Sequence, residues 1–234
     1  HSQPGDLHLS FGKPNIGQQV CYRRSAIPGF IFEIWEDFSM ANLFRKEAYE
    51  RFLLPPPSKH KTMITVLKRQ TKRVVSNFDD FIRFIETTQG LPVTSITQSK
   101  MSFQEQVSHM HGTSLLIGMH GADLTNCIFL PKGSVLIEIN PSRWMDARFL
   151  RACKTSGVHY LSYNDEKRQG YPFAHYPSLA CPRLSPSTTA CPDMNPIHPN
   201  NNVHIDLKRF SHLFDEALYL LGRLQSRKSY NLFV

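Results

Sequence analysis

The sequence predicts an α/β fold in which a doubly wound parallel sheet occupies residues 63–163. Within that range, five short apolar segments alternate with segments whose apolar residues recur at helical spacing. Strands separated by helices form parallel sheets with both faces covered, and right-handed crossovers place helices on the two sides. The chain has 234 residues, of which 41% are hydrophobic, so it is long and apolar enough to bury a large core.

The predicted elements follow one another in a regular order. A first helix is predicted at 42–53, and it ends before three consecutive prolines at 55–57 that form a stiff connector. The predicted strands are 63–68, 93–97, 115–119, 135–139 and 158–163, and the helices between them are 78–88, 103–111, 124–129 and 144–154. Asp206 is predicted to begin a last helix, whose apolar stripe packs on the domain. We therefore expect one domain at 58–234, preceded by a partial N-terminal region and connector at 1–57.

The rest of the chain gives weaker patterns. Residues 1–20 are polar and irregular, residues 21–37 favour one or two strands, and residues 171–202 favour a long loop rich in Pro, Ser, Thr and Asn. Cys181 and Cys191 bracket part of that loop, and a disulfide between them is as compatible with the sequence as two free thiols. Cys127 and Cys153 lie in apolar helical segments and are predicted to be buried thiols.

Charge and composition narrow the class of partner. The net charge of +8 favours an anionic partner, although it also serves solubility. The densest basic cluster, at 68–73, is interrupted and follows a predicted strand, and no aromatic-rich RNA motif or zinc-finger spacing accompanies it, so nucleic acid is disfavoured as a partner. The cysteine and histidine spacings contain no zinc-binding pattern, so we predict no metal site. No apolar run approaches the roughly 20 residues of a membrane span.

Polar residues just beyond the strands are the candidates for a binding site, because ligands of open α/β sheets bind outside the carboxyl ends of the strands. The candidates after the first strand are Arg69, Arg73 and Asn77, those after the third are His120, Gly121, Ala122 and Asp123, and those of the fourth are Glu138 and Asn140.

Several candidates suit a nucleoside diphosphate. Arg69 offers a planar charged fork to phosphate oxygens, while Gly121 permits close backbone approach and the helix after it directs N–H groups at an anion. Glu138 would accept from ribose hydroxyls, although a structural ion pair with an arginine is the alternative. Arg73 is equally compatible with a solvated surface position, and His120 with a plain helix-entry residue. Neither GxGxxG nor GxxxxGK[ST] occurs, which argues against dinucleotide dehydrogenases and P-loop enzymes.

Two further histidines are interpreted as ordinary helix residues. His109 and His111 are two positions apart, which places them on nearly opposite sides of a helix and makes them poor joint metal ligands.

An ordered series of motifs resembles glycosyltransferase family 61 over roughly residues 60–225. The series consists of Val-Leu-Lys-Arg at 66–69, Phe-Gln-Glu-Gln-Val at 103–107, Met-His-Gly-Ala-Asp-Leu-Thr-Asn at 119–126, Phe-Leu-Pro-Lys-Gly at 129–133, Val-Leu-Ile-Glu at 135–138 and Gly-Val-His-Tyr at 157–160. The resemblance implies the Rossmann-like, C-terminal half of a GT-B fold, which holds a UDP-sugar. It implies inversion at the anomeric carbon without a metal or other cofactor.

The nucleotide-sugar contacts implied on the matching positions are Arg69, Arg73, His120, Gly121, Ala122, Thr125 and Glu138. The acidic residues agree with a metal-free site, because Asp79 and Asp80 are adjacent and form no Asp-x-Asp. Asp123 departs from the family pattern, and its carboxylate would repel a diphosphate unless it points away.

The expected function is transfer of a sugar, with UDP-N-acetylglucosamine favoured over UDP-xylose, to a hydroxyl on a protein or glycan in the endoplasmic reticulum or Golgi. The C-terminus has no retrieval tetrapeptide, which favours the Golgi. About sixty residues precede the donor-binding half, so we expect the acceptor domain to be largely missing. The general base is expected in the cleft between the two domains, and the sequence identifies no residue for it. The rival interpretations are a non-catalytic nucleotide- or glycan-binding module and a basic protein that binds polyanions.

Overall fold

The structure is a computed structural model, and it describes residues 38–57, 63–141, 147–165 and 202–222. The helices are α1 (Phe38–Arg51), α2 (Phe78–Gln89), α3 (Phe103–His111), α4 (Arg148–Ser156) and α5 (Leu207–Leu220), and the strands are β1 (Ile64–Leu67), β2 (Val93–Ile96), β3 (Leu115–Met119), β4 (Val135–Asn140) and β5 (His159–Asn164). A 3-10 turn at Gln98–Lys100 and a 3-10 helix at Ala122–Phe129 complete the described elements. The strands predicted within 21–37, nearly all of the loop predicted at 171–202, and Cys181 and Cys191 lie outside the described residues.

The five strands form one sheet in which every pair is parallel, with the order β2-β1-β3-β4-β5. This confirms the predicted fold class. From β1 the chain moves outward to β2, whereas from β3 it moves in the opposite direction through β4 to β5. The order therefore reverses between β1 and β3, and their carboxyl ends flank the crevice where such sheets bind ligands.

Both faces of the sheet are covered, as a doubly wound fold requires. Successive strand residues point to opposite faces, so Leu115 and Ile117 enter one core and Leu116 enters the other. The first core is completed by α2 and α5, mainly through Phe81, Ile85, Phe210 and Phe214. The second core is completed by α1, α3, the 3-10 helix and α4, mainly through Ala48, Val107, Met110, Leu124 and Phe149.

Local sequence signals set the ends of several helices. Ser102 and Glu105 form a capping box at the start of α3. Helix α5 begins at Asp206, as predicted, and the Asp206 side chain caps it by accepting from the Arg209 amide. Gly157, at φ 67°, ends α4 in the left-handed conformation that favours glycine. The helix predicted at 124–129 begins at Ala122 and is of the 3-10 type. Leu124, Cys127 and Leu130 are buried at three-residue spacing, which matches three residues per turn.

Helix α1 is attached to the elements of the second core through one buried arginine. Arg45 is 5% exposed. Its Nη1 donates to the Leu130 carbonyl, and its Nη2 donates to the Ser156 carbonyl at 2.6 Å. One side chain thus caps the ends of both the 3-10 helix and α4, so α1 packs on the sheet domain. The boundary predicted between residues 57 and 58 stays a prediction.

The two cysteines within the described residues are buried free thiols, as predicted. Cys127 lies in the 3-10 helix and Cys153 in α4, and a hydrogen bond with Cys127 together with burial raises the pKa of Cys153. Both thiols therefore act as small apolar groups in the second core. No helix in the described part of the chain is both long enough and apolar enough to span a membrane.

The two histidines of α3 bond to different parts of the structure. His109 Nε2 lies 3.1 Å from Thr65 Oγ1 in β1, whereas His111 Nε2 lies 2.6 Å from the Pro55 carbonyl. Thr65 also shares a hydrogen bond of 2.8 Å with Thr113. The His109 ring therefore joins a polar cluster on the side of the sheet that carries the second core.

We expect His109 to make the protein less stable in mild acid. Burial lowers the pKa of His109 below the ordinary histidine value. The unfolded chain therefore takes up this proton at higher pH than the folded chain, and the free energy of unfolding falls as the pH drops through about 6.5 toward the lower folded value. Urea denaturation across this range measures the slope, which His109→Gln should reduce. A wild-type slope in the variant would contradict this assignment.

Candidate functional site

The arginines predicted after β1 meet the backbone that follows β3. Arg69 Nη1 lies 3.2 Å and Arg73 Nη1 lies 2.8 Å from the carbonyl oxygen of His120. Because β1 and β3 are the strands between which the sheet order reverses, both guanidinium groups lie at the ligand-binding crevice of the fold. We call Arg69, Arg73, His120 and Gly121 the arginine site.

Gly121 allows the two guanidinium groups to lie against the backbone. Its φ is +156°, a conformation that side chains rarely adopt. A Cβ atom there would overlap Arg69 Nη1 and lie 3.5 Å from Arg73 Nη1. Any side chain at position 121 would therefore displace Arg69. The Gly121 carbonyl accepts from Leu124 N at 2.9 Å, which is the first bond of the 3-10 helix, so the amides before Leu124 lack partners within the helix.

The electrostatics of the site favour an anion. Burial lowers the pKa of Arg73, the neighbouring Arg69 lowers it further, and Asp123 partly offsets both effects. Arg73 has a φ of 56°, which is unusual for a residue other than glycine. Its Nε is buried without a hydrogen-bond partner among the described residues. Two cations thus converge on one neutral carbonyl, and a bound anion would relieve their repulsion and accept from the remaining donors.

Behind the arginine site lies a buried chain of polar side chains. His120 Nδ1 is 2.5 Å from Glu138 Oε1, and the Tyr160 hydroxyl donates to Glu138 Oε2 at 2.6 Å. Glu138 is fully buried and His120 is 4% exposed. Burial and the negative charge of Glu138 raise the pKa of Tyr160, so its hydroxyl remains a donor. Among the described residues, Glu138 is bonded to the His120 ring, and no arginine there is paired with it. Its predicted contact with the nucleotide stays a prediction.

The remaining candidates divide into residues near the site and residues held elsewhere. Ala122 and Thr125 are exposed on the 3-10 helix that follows Gly121, and their predicted donor contacts stay predictions. Asp123 is half-buried. Its negative charge raises the pKa of Arg73 and partly offsets the effects of burial and of Arg69. Asn140 donates to Ser162 Oγ at 2.9 Å.

Asn77 is held by another part of the chain and does not join the arginines. Its Oδ1 accepts from Ile205 N and its Nδ2 donates to the Ile205 carbonyl, each at 2.9 Å. These bonds extend the parallel bridge between Val75 and Val203. The side chain therefore fixes the segment that leads into α5. No local sequence pattern indicates a partner 128 positions away.

The sequence analysis did not predict a cluster formed by the amide side chains of Gln98, Gln106 and Asn126. Two of them, Gln106 and Asn126, lie in the motifs that resemble glycosyltransferase family 61. Asn126 Nδ2 donates to Gln106 Oε1 at 2.7 Å and to Gln98 Oε1 at 3.1 Å, and Gln106 Nε2 donates to the Gln98 carbonyl at 3.1 Å. The cluster ties the turn after β2 to α3 and the 3-10 helix, at the same edge of the sheet as the arginine site.

A broad groove lies apart from the arginine site. It has a volume of about 760 Å³, runs between α2 and the segment before α5, and is lined by Asp80, Arg83, His204 and Lys208 among others. Arg83 is paired with Asp80 at 3.3 Å. The groove therefore presents mixed surface charge, whereas the arginine site concentrates positive charge.

A doubly wound parallel domain with cationic side chains at its switch point has the architecture with which many α/β domains bind phosphate-bearing ligands. Residues 34–137 match the family model described as Glycosyltransferase 61. The matched range contains both arginines, His120 and Gly121.

Two relatives with the same name are similar to the chain. The chain is 28% identical over 224 residues to the EGF domain-specific O-linked N-acetylglucosamine transferase of Drosophila melanogaster, a match that covers 86% of the chain and 38% of the relative. It is 31% identical over 129 residues to the protein of the same name from Xenopus laevis, with coverage of 53% and 24%.

A third relative is the protein O-linked-mannose beta-1,4-N-acetylglucosaminyltransferase 2 of Takifugu rubripes, 28% identical over 111 residues, with coverage of 45% and 19%. The chain thus spans less than two fifths of the length of each of these relatives. The matches confirm the predicted resemblance to glycosyltransferase family 61, and the enzyme class that the matched family and relatives share is glycosyltransferase.

Proposed function

We propose that this chain binds a UDP-sugar at the arginine site, as the donor-binding part of an inverting glycosyltransferase with a GT-B architecture. The observation that carries the proposal is the convergence of Arg69 and Arg73 on the His120 carbonyl, with Arg69 packed directly against Gly121. The guanidinium groups offer paired donors to diphosphate oxygens, and the amides after Gly121 offer further donors.

The proposed reaction exchanges one bond at the anomeric carbon for another. The acceptor hydroxyl attacks that carbon from the face opposite the diphosphate, the bond to the diphosphate oxygen breaks, and UDP leaves with the electron pair. Negative charge grows on the leaving oxygen, where the two arginines stabilise it. We assign the general base that takes the hydroxyl proton to the acceptor side of the cleft.

The side chains of the arginine site support a reaction that does not use a metal ion. In the proposed complex, the two converging guanidinium groups supply the positive charge that a metal would otherwise supply to the diphosphate. The adjacent carboxylates of α2 are exposed and engaged elsewhere, with Asp79 4.0 Å from Lys68 and Asp80 3.3 Å from Arg83. Within the described ranges, no group of three or more His, Cys, Asp or Glu side chains is arranged to hold a metal.

We expect UDP to bind equally well with and without a divalent cation. Calorimetric titration of UDP in EDTA and in magnesium should give dissociation constants within about twofold of each other, since the arginines supply the positive charge that magnesium supplies elsewhere. Circular dichroism of the EDTA sample confirms that the protein is folded. Loss of binding in EDTA by a folded sample would overturn metal independence.

The proposed donor is UDP-N-acetylglucosamine, in preference to UDP-xylose, and the proposed acceptor is a hydroxyl on a glycoprotein or polysaccharide in the Golgi or endoplasmic reticulum. The support for the sugar is that relatives in two differently named groups are N-acetylglucosaminyltransferases. Displacement of UDP by each UDP-sugar tests the choice, and tighter binding of UDP-xylose would reverse it.

A further inference from the structure

The hydrogen-bonded chain of Tyr160, Glu138 and His120 crosses three neighbouring strands on one face of the sheet. Tyr160 of β5 pairs in register with Leu136, and Glu138 lies two residues further along β4 on the same face. Glu138 pairs in register with Gly118, and His120 lies two residues beyond Gly118, just after β3. Each side chain therefore contacts the next one diagonally across the strands. The series of hydrogen bonds runs from Tyr160 at the second core to His120 at the carboxyl edge of the sheet.

The backbone and the ring of His120 are both tied to β4. Its amide donates to the Ile139 carbonyl at 2.8 Å, which continues the sheet for one more residue. Its ring bonds to Glu138 through Nδ1 and contacts the Phe149 ring edge-on, with centroids 5.5 Å apart. The carbonyl of this same residue accepts from Arg69 and Arg73. The orientation of the His120 peptide group thus depends on the His120 ring, which is held by Glu138 and Phe149 in the second core.

The hydrogen bonds of Glu138 use both of its carboxyl oxygens. The Tyr160 hydroxyl donates to Oε2, and His120 Nδ1 faces Oε1. A carboxylate at this position would accept from both groups, and His120 Nδ1 would be the nitrogen that carries the proton. Partners behind a functional histidine commonly set its tautomer and orientation in this way.

We infer that Tyr160 and Glu138 are positioning residues for donor binding, which fix the ring of His120 and thereby the carbonyl on which Arg69 and Arg73 converge. The inference rests on the proposed function, because it concerns the affinity of the same site for UDP. Tyr160 touches neither arginine in this arrangement, and it acts through Glu138 and His120. Its hydroxyl is the only atom that a change to phenylalanine removes.

The test compares two tyrosine hydroxyls of the same strand in the full chain. Tyr160→Phe should weaken the binding of UDP about three- to tenfold, the effect of one net hydrogen bond. Tyr163 is the control because it lies on the same strand and also uses its hydroxyl in a hydrogen bond, although it is buried where Tyr160 is only partly buried. Its hydroxyl accepts from the Asp206 amide, on the opposite face of the sheet. Tyr163→Phe should change stability while leaving UDP affinity within about twofold of wild type.

A spectroscopic measurement separates positioning from general destabilisation. In protein labelled with nitrogen-15 at histidine, the Nδ1–H signal of His120 is assigned by its loss in His120→Gln. Tyr160→Phe should shift that signal, and Tyr163→Phe should not. Glu138→Gln keeps the shape of the side chain, and it should shift the signal and weaken UDP binding as well, which provides a second variant if Tyr160→Phe is poorly folded.

The outcomes distinguish this inference from the proposed function. If wild type binds UDP and Tyr160→Phe binds it equally well, the inference is wrong while donor binding stands. If wild type binds no UDP, the proposed function fails, and the positioning role that depends on it fails too. An unchanged His120 signal in both Tyr160→Phe and Glu138→Gln would overturn the inference by itself.

Discussion

Replacing Arg69 with alanine is expected to weaken UDP binding by roughly 30- to 1,000-fold, which corresponds to about 2–4 kcal/mol. The Arg69 guanidinium lies against Gly121 at the switch point of the sheet, where it can pair with diphosphate oxygens through two donors. Arg69→Lys should restore part of the affinity, because an ammonium keeps the charge and loses the planar fork. Calorimetric titration of UDP into the three proteins measures both effects.

Arg83→Ala is the matched control for Arg69→Ala. Arg83 is exposed on α2 and its partner is the exposed Asp80, so its loss should change stability by no more than about 0.5 kcal/mol and leave UDP affinity unchanged. Equal affinities of wild type and Arg69→Ala, with measurable binding by both, would remove Arg69 from the site.

The second large effect is expected on stability. Arg45→Met should lower the free energy of unfolding by about 2–4 kcal/mol, because it leaves two buried helix-end carbonyls without donors. Those carbonyls belong to Leu130 and Ser156. Burial lowers the pKa of Arg45, so the guanidinium is largely removed from water, and the two carbonyls are its main hydrogen-bond acceptors. Methionine retains the aliphatic stem, so the experiment isolates the hydrogen bonds.

Urea denaturation measures this loss, and Lys46→Met provides the control one position along α1. Lys46 is exposed and 3.6 Å from the equally exposed Glu50, so its replacement should cost no more than about 0.5 kcal/mol. An Arg45→Met protein as stable as wild type would mean that methionine packing offsets the lost bonds, and that α1 does not need its arginine.

The fold was predictable because its signals are local. Apolar strand segments and helical periodicity are visible within a dozen residues, and parallel pairing follows from their alternation. Gly157, Asp206 and the pair Ser102 and Glu105 mark helix ends by their own chemistry. The 3-10 geometry after Gly121 was harder to predict from the sequence. Over eight residues, the three-residue period of a 3-10 helix is hard to distinguish from the 3.6-residue period of an α-helix.

The candidate site was predictable where topology decides it. Carboxyl ends of neighbouring parallel strands must meet, which brought Arg69 and Arg73 to the backbone after β3. The contacts of Asn77 and Tyr160, in contrast, could not be predicted from the sequence. The partner of Asn77 lies beyond α4 and β5 in the chain, and the role of Tyr160 appears only once the register of β4 and β5 is known. Partners of buried polar groups depend on tertiary packing, which single-sequence patterns do not contain.

The central claim is that the crevice between β1 and β3 binds the diphosphate of a UDP-sugar, and mapping amide resonances during a UDP titration tests it most directly. We predict that the largest shifts fall on residues 69–73 and on the amides of Gly121, Ala122 and Asp123, with smaller changes through His120 into β4. Shifts confined to the groove between α2 and the segment before α5, with those amides unmoved, would contradict the claim.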